Sequence, residues 1–174
     1  MLTRRGFSAL LGMTAAAPAL AQAVPDFEFA SIDGGTIRLG DLRGQTVLIV
    51  NTASLCGFTY QYEALQALHE RLQGRAHVLA VPSDDFGGQE LATEAEVKDF
   101  CQINYNLTLP MTEITSVRRG NVHPFYAWAA DQGVRPRWNF HKILLDGDGR
   151  IADHFASFVK PDSPKILQAI NAVM

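Results

Sequence analysis

The sequence predicts an α/β fold in which a central mixed β-sheet is flanked by helices. Segments with strand patterning alternate with segments of helical period along most of the chain, which favours parallel strands joined by helices. Near the C-terminus, two strand-like runs flank the turn residues 146–149, a pattern typical of an antiparallel hairpin. Parallel and antiparallel pairs in one domain make the sheet a mixed one.

A second hairpin is predicted at the start of the domain, because turn residues 33–35 separate two short alternating runs at 27–30 and 36–39. The next run, 46–50, is continuously β-branched and aliphatic, as expected of a central strand that is buried on both faces. Residues 60–73 then place several leucines on one helical face. This spacing predicts an amphipathic helix after the central strand.

The alternation continues through the rest of the chain. Residues 77–81 predict a second apolar strand, and Thr93 with Glu96 makes a capping box for a helix that reaches about residue 104. A third strand is predicted at 109–114. The remaining elements are a helix, the C-terminal hairpin and a final helix, predicted at 124–130, 142–145, 150–155 and 164–173.

The first 23 residues are predicted to be a signal peptide rather than part of the fold. Arg4 and Arg5 precede an apolar run at 9–20, and small residues close the segment at Ala21 and Ala23. The paired arginines resemble a twin-arginine export signal, with an ordinary secretory signal as the alternative. Because the apolar run is short for a bilayer span, we expect release into the periplasm without stable membrane insertion.

Residues 24–174 are expected to form one acidic domain. Loss of residues 1–23 removes two arginines and no acidic residue, which leaves 13 basic against 18 acidic side chains and a formal charge of −5. The basic residues are scattered without a stripe or tract, so nucleic acid is not expected as a partner. The five histidines lack the close spacing of a zinc or copper site, and we expect neither a metal nor a cofactor.

The chain has two cysteines, Cys56 and Cys101, which are too few for a disulfide scaffold. Cys56 stands in NTASLCGFT, after a buried strand and before a helix, where backbone N–H groups and the helix dipole stabilise an anion. A thiol in this position is biased towards the nucleophilic thiolate, with a buried and inert cysteine as the alternative. The CGFT spacing looks like a CxxC motif whose second cysteine has become Thr59, so oxidised Cys56 must be resolved from elsewhere.

Three motifs, NTASLCGFTYQYEAL, VPSDDFGGQE and WNFHKILLDGDG, resemble those of glutathione peroxidases in their order and spacing. The resemblance covers essentially all of residues 24–174, and the three motifs together are specific although each alone is weak. It implies a thioredoxin-like fold, which agrees with the order of elements above. It also implies an antioxidant peroxidase that reduces hydrogen peroxide or organic hydroperoxides in the response to oxidative stress.

The resemblance implies a catalytic set in which Cys56 acts with Trp138 and Asn139. The indole N–H and the amide NH2 of these two side chains can stabilise a thiolate or the charge that develops on a peroxide oxygen. Asp85 stands where the family has a catalytic glutamine, and an ionised carboxylate donates no hydrogen bond. We predict that Asp85 relays the thiol proton to the leaving hydroxyl, with a turn-capping role as the alternative, and we interpret Gln89 as structural.

Cys101 is predicted near the end of the second helix. Many non-selenium members of the family resolve the sulfenic acid with a second cysteine in this region, and Cys101 lies one residue off the commonest position. If that helix can unwind, Cys101 could attack oxidised Cys56, and otherwise it is a buried apolar thiol. Resolution by Cys101 favours a thioredoxin-like protein as the reductant, whereas its absence favours glutathione.

The segment between Trp128 and Trp138 is short, whereas tetrameric members of the family carry a longer insertion there. The resemblance therefore implies a monomer with an open site. Two other classes stay open on the residues alone. A non-catalytic thiol sensor or disulfide carrier is favoured by the loss of the family glutamine, while a metallochaperone would need a CxxxC pair that Tyr60 does not supply.

Overall fold

The computed structural model describes residues 24–174, so the predicted signal peptide at 1–23 lies outside the described residues. The strands are, in chain order, β1 (Glu28–Ala30), β2 (Thr36–Arg38), β3 (Thr46–Thr52), β4 (Ala76–Pro82), β5 (Lys142–Leu145) and β6 (Ile151–Phe155). β1 and β2 pair as the antiparallel hairpin that the turn residues predict. The other strands form a single sheet in the order β4-β3-β5-β6.

The helices of the described region are α1 (Gln61–Leu72), α2 (Glu94–Tyr105), α3 (Pro124–Asp131) and α4 (Pro164–Val173). α2 begins with the predicted capping box, in which the Thr93 hydroxyl accepts the backbone N–H of Glu96 and the Glu96 carboxylate accepts that of Thr93. α3 and α4 both begin at a proline, whose missing N–H is not needed in the first turn. Within the described residues, no helix is long and apolar enough to cross a membrane.

β3 is the central strand of the sheet. It pairs in parallel with β4 and antiparallel with β5, and β6 adds a further antiparallel strand at the edge. All seven residues of β3 are buried, as its uninterrupted apolar run predicts. The predicted mixed sheet flanked by helices, with an N-terminal hairpin, is therefore confirmed.

Two hydrophobic cores lie on opposite faces of the sheet, because successive side chains of β3 point to opposite sides. Leu48 and Val50 face the first core, which contains the apolar faces of α1, α2 and α4 and both cysteines. Val47 and Ile49 face the second core, which contains α3 and the β1–β2 hairpin. Both cysteines therefore lie in the core on one face of the sheet.

The strand predicted at 109–114 is wrong. This segment makes only two isolated bridges, from Met111 to Ala80 and from Thr112 to Ser31, on either side of it. Pro110 has no backbone N–H to donate, so a continuous ladder cannot run through it. The apolar pattern reflects burial of Leu109 and Met111 in the core.

Candidate active site

Cys56 lies in a series of turns between β3 and α1. The helix begins at Gln61, so Cys56 precedes it by about one turn, as the sequence predicts. The Cys56 side chain is buried but keeps 9% of its surface exposed. The backbone N–H of Phe58 donates to Cys56 Sγ at 3.4 Å. A donor aimed at sulfur stabilises negative charge there, which is what a thiolate nucleophile needs.

Thr59 fixes the turn that carries Cys56. Its hydroxyl oxygen accepts the backbone N–H of Cys56 at 3.1 Å and lies 2.7 Å from the Cys56 carbonyl oxygen and 2.9 Å from that of Ala53. The residue that occupies the second cysteine position of a CxxC motif therefore supplies backbone hydrogen bonds in place of a disulfide partner. Thr59 is buried, so these bonds are protected from water.

The loop that follows β4 holds the same turn from the other side. Leu55 donates its backbone N–H to the carbonyl oxygen of Gln89 at 2.9 Å, and Ser54 donates its own to the Glu90 carboxylate at 3.0 Å. Glu90 is buried, and burial raises the pKa of its carboxyl while hydrogen bonds from Ser54 and Leu91 oppose the rise. The two loops are thus joined immediately before the cysteine.

The segment before β5 supplies the predicted tryptophan. Trp138 is 41% exposed, and its ring lies beside that of Phe86 with the centroids 6.2 Å apart. Asn51, near the end of β3, donates its side-chain amide to the Trp138 carbonyl at 3.1 Å and accepts the backbone N–H of Phe140 at 2.6 Å. Phe140 has a φ of 60°, which is strained for a bulky residue. Packing and the Asn51 clamp hold this strained bend.

Asn139 is completely buried between these elements. Its side-chain NH2 donates to Gln89 Oε1 at 3.0 Å and to the carbonyl oxygen of Phe86 at 3.4 Å. Asn139 therefore ties the tryptophan segment to the loop that holds the cysteine turn. Because both amide hydrogens have acceptors here, direct donation from Asn139 to Cys56 stays a prediction.

Asp85 holds a neighbouring loop through its carboxylate. One of its carboxylate oxygens accepts the backbone N–H groups of Val117, Arg118 and Arg119, at 2.6, 2.6 and 3.2 Å. A carboxylate that receives three backbone donors is committed to holding that loop. These hydrogen bonds support the alternative role for Asp85, capping of the loop at 117–119, and the proton relay stays a prediction.

Cys101 forms no disulfide bond with Cys56. Both thiols are free, and Cys101 is 2% exposed in the last turns of α2. Burial raises the pKa of Cys101 to about 12. Tyr62, in the first turn of α1, is itself fully buried in the same core as both cysteines. Attack on Cys56 therefore requires Cys101 to leave its place in α2.

Several residues that shape the site could not be assigned this way from the sequence. Gln89 and Glu90 bind backbone N–H groups of a distant segment, whereas Thr59 binds backbone groups of its own turn, and no side-chain pattern marks these partners. His141 and His154, which the sequence places on separate elements, stack with ring centroids 5.4 Å apart. The two histidines come together because β6, which carries His154, pairs with β5, which His141 precedes.

The fold and the site define a class of protein: a thiol enzyme in which a cysteine at a strand-to-helix turn is fixed by hydrogen bonds on a thioredoxin-like scaffold. The glutathione peroxidase family model matches residues 24–130. The chain is 39% identical over 148 residues to hydroperoxy fatty acid reductase gpx1 of Synechocystis sp., which covers 78% of this chain and 88% of that protein.

Solved structures agree on the fold. The crystal structure of Trgpx in apo form matches with a TM-score of 0.64 and 30% identity, over 83% of this chain and 93% of that one. The exposed lipoprotein thioredoxin Etrx1 from Streptococcus pneumoniae strain TIGR4 matches with a TM-score of 0.61 and 25% identity, over 85% and 99%. The chain belongs to the glutathione peroxidase family and is a thiol-dependent peroxidase, an oxidoreductase.

Proposed function

We propose that Cys56 is the residue that reacts with the peroxide. Its thiolate sulfur attacks one oxygen of the hydroperoxide, and the O–O bond breaks as the S–O bond forms. Sulfur retains the hydroxyl group as a sulfenic acid, and the other oxygen leaves and takes a proton to give water or an alcohol. The indole N–H of Trp138 is the proposed hydrogen-bond donor that stabilises the leaving oxygen. Asn139 holds the loop on which the site is built.

The observation that carries this proposal is the hydrogen bond from the Phe58 backbone to Cys56 Sγ. It lies in a turn whose own N–H and carbonyl groups are satisfied by Thr59. The sulfur therefore receives a backbone donor in a turn that is fixed by its own hydrogen bonds.

We further propose that organic hydroperoxides are substrates besides hydrogen peroxide. Large apolar side chains are exposed next to Cys56 in the sequence and on the tryptophan segment, namely Leu55 at 59%, Tyr60 at 49% and Trp138 at 41%. Phe158, 74% exposed, follows Ser157, whose carbonyl accepts the side-chain amide of Gln61 at the start of α1. An apolar rim suits a hydrocarbon hydroperoxide, and a relative is named for the reduction of hydroperoxy fatty acids.

Reduction is proposed to proceed through Cys101 and a thioredoxin-like protein. The thiol of Cys101 attacks the sulfenic sulfur of Cys56, which releases water and forms an intramolecular disulfide. The exposed end of α2, where Ile103 is 81% exposed, supports local opening of that turn. A protein reductant would dock on the apolar rim and exchange its dithiol for the disulfide. If Cys101 does not resolve, two glutathione molecules supply the same two electrons.

The first test is intact-mass analysis of the reduced protein after one equivalent of hydrogen peroxide, beside a Cys101→Ser variant. The parent should lose two hydrogens to an internal disulfide, whereas the variant should gain one oxygen as a trapped sulfenic acid. If the parent gains oxygen without losing both thiols, glutathione becomes the proposed reductant in place of a thioredoxin-like protein. Absence of a fast reaction at Cys56 would overturn the assignment of the nucleophile.

We also propose that the enzyme is an exported, periplasmic monomer. The support for export is the arginine pair and apolar run within residues 1–23, and the support for a monomer is the short segment before Trp138. Replacement of both Arg4 and Arg5 by lysine should retain the protein in the cytoplasm if the twin-arginine route is used. Cell fractionation measures the first proposal and light scattering of the mature protein measures the second.

A further inference from the structure

A cavity of about 820 Å³ opens beside the tryptophan segment. Its walls come from α3, the loop at 117–122, the segment at 133–137 and the facing ends of β5 and β6. The volume falls within the range of sites that bind small organic molecules. The cavity shares two boundaries with the active site, because Arg137 directly precedes Trp138 and the loop at 117–119 is held by Asp85.

The cavity is basic although the chain as a whole is acidic. Arg118, Arg135 and Arg137 line it together with two histidines, and Asp131 is its one acidic lining residue. Within residues 24–174, none of these guanidinium groups lies within 4.0 Å of a carboxylate oxygen, whereas Arg38 and Arg150 are paired. Three unpaired guanidinium groups around one concavity form an anion-binding surface.

Two buried polar side chains in the cavity wall also lack partners. His141 is 6% exposed and its Nε2 has no hydrogen-bond partner, and Tyr126 is 2% exposed with an unpartnered hydroxyl. Burial lowers the pKa of His141 to about 4, assisted by the charges of His154, Lys142 and Arg137. The same positive surroundings that keep this imidazole neutral attract an anionic ligand.

The remaining walls are apolar, which restricts the kind of anion that fits. They include Val117, Val122, Ala130, Pro136 and Ala156. A small inorganic anion would leave these surfaces in contact with water, whereas a hydrocarbon chain that carries a carboxylate would cover them. The cavity therefore matches an amphipathic acid in both charge and surface.

We propose that this cavity is a binding site for the carboxylate end of a long-chain fatty acid. Bidentate bonds from Arg135 and Arg137 hold the carboxylate, and the apolar walls contact the chain. The inference deepens the proposed function, on which it rests for its consequence: a hydroperoxide on such a chain is anchored next to Trp138. The site then selects free fatty acid hydroperoxides over neutral ones.

Binding is tested by calorimetric titration of linoleate into Cys56→Ser protein, with and without the double change Arg135→Gln and Arg137→Gln. Both arginines are exposed, so the fold should survive their replacement. Loss of two charge-assisted hydrogen bonds should weaken binding by at least about tenfold. The matched control is Arg71→Gln with Arg75→Gln, two exposed residues at and just after the C-terminal end of α1, which should bind linoleate like its parent. Equal binding by the two double variants, or displacement of linoleate by glutathione, would overturn the proposal.

A kinetic measurement separates this proposal from the proposed function. In the enzyme with Cys56 intact, kcat/KM for hydroperoxy-linoleic acid is compared with kcat/KM for its methyl ester. The acid should be preferred, and the double change Arg135→Gln and Arg137→Gln should abolish most of that preference. An enzyme that reduces acid and ester equally well contradicts the cavity assignment. An enzyme that binds linoleate through these arginines but reduces no peroxide contradicts only the proposed function.

Discussion

Cys56 and Cys101 lie in the same hydrophobic core on one face of the sheet, yet their surroundings give the two thiols different chemistry. Cys56 stands in a series of turns, and its sulfur receives the backbone N–H of Phe58. Cys101 stands inside α2, where burial raises the pKa of its thiol to about 12. Their exposed fractions, 9% and 2%, differ little. The comparison teaches that a backbone donor at the sulfur distinguishes Cys56, the proposed nucleophile, from Cys101, which burial keeps protonated.

Tyr62 shows what separates the two thiols. It begins α1 soon after the Cys56 turn, and its hydroxyl lies next to Cys101. Burial raises the pKa of the Tyr62 hydroxyl well above its ordinary value, and Cys101 and Glu90 add to the rise. Cys56 keeps 9% of its surface exposed, whereas Cys101, at 2%, must leave this apolar environment before it can react. The two cysteines should therefore respond differently to substitution and to pH.

The largest expected effect is that of Cys56→Ser. A serine hydroxyl at this position is a far weaker nucleophile towards peroxide oxygen, so steady-state peroxidase activity should fall to background. Coupled consumption of hydrogen peroxide measures the loss. Residual turnover by the purified variant would mean that Cys101 or another group reacts with peroxide. That result would contradict the proposed difference in reactivity between the two thiols.

The next effect is a pH dependence of the free energy of unfolding that arises from the Cys101 thiol. Its folded pKa, about 12, lies above the ordinary value of 9.0, so the folded chain keeps a proton that the unfolded chain loses as the pH rises through this window. Stability from the neutral thiol is therefore fully present below pH 9 and declines above it, by up to a few kcal/mol. Urea unfolding of reduced protein at increasing pH measures the decline.

Cys101→Ala provides the comparison for that measurement. At pH 7 the variant should be less stable than the parent, by about 1 kcal/mol, because a small buried group is lost. The difference should shrink as the pH rises above 9, since the variant has no thiol to ionise. A constant difference between parent and variant across this range would show that the thiol of Cys101 is not held neutral by the fold.

A smaller effect is expected at the turn that holds Cys56. Thr59→Val keeps the shape of the side chain but leaves the backbone N–H of Cys56 buried without an acceptor, at a cost of about 1–3 kcal/mol. The oxidation rate of Cys56 should fall as well, because the turn loosens. Thr59→Ser retains the hydroxyl and should restore both properties. Thermal unfolding and stopped-flow oxidation measure them, and a fully stable valine variant would remove Thr59 from the account of the site.

Local patterns explain why most of the fold could be predicted. The apolar run of β3, the capping box of α2 and the turn residues between β5 and β6 each reflect interactions within a short segment. The strand expected at 109–114 failed because burial and strand pairing produce the same apolar pattern.

In the site, Cys56 could be predicted from its neighbours in the chain, whereas the hydrogen bonds that position it could not. Gln89 accepts a backbone N–H from Leu55, and Asp85 accepts backbone donors more than 30 residues away. Backbone donors have no residue type, so only the folded structure identifies which carboxylate or carbonyl they meet. The paired loops and the basic cavity beside them are therefore properties of the tertiary structure.

The smallest expected effect separates the two roles considered for Asp85. Asp85→Asn keeps an oxygen that can accept the N–H groups of Val117 and Arg118 but removes the charge and the capacity to carry a proton. Stability should fall by about 1 kcal/mol, as a charged acceptor is replaced by a neutral one. The rate of Cys56 oxidation, followed by stopped-flow fluorescence, should stay within about twofold of the parent. Asp85→Ala, which leaves all three donors without this acceptor, should be less stable than Asp85→Asn. A slow asparagine variant of undiminished stability would restore the proton relay.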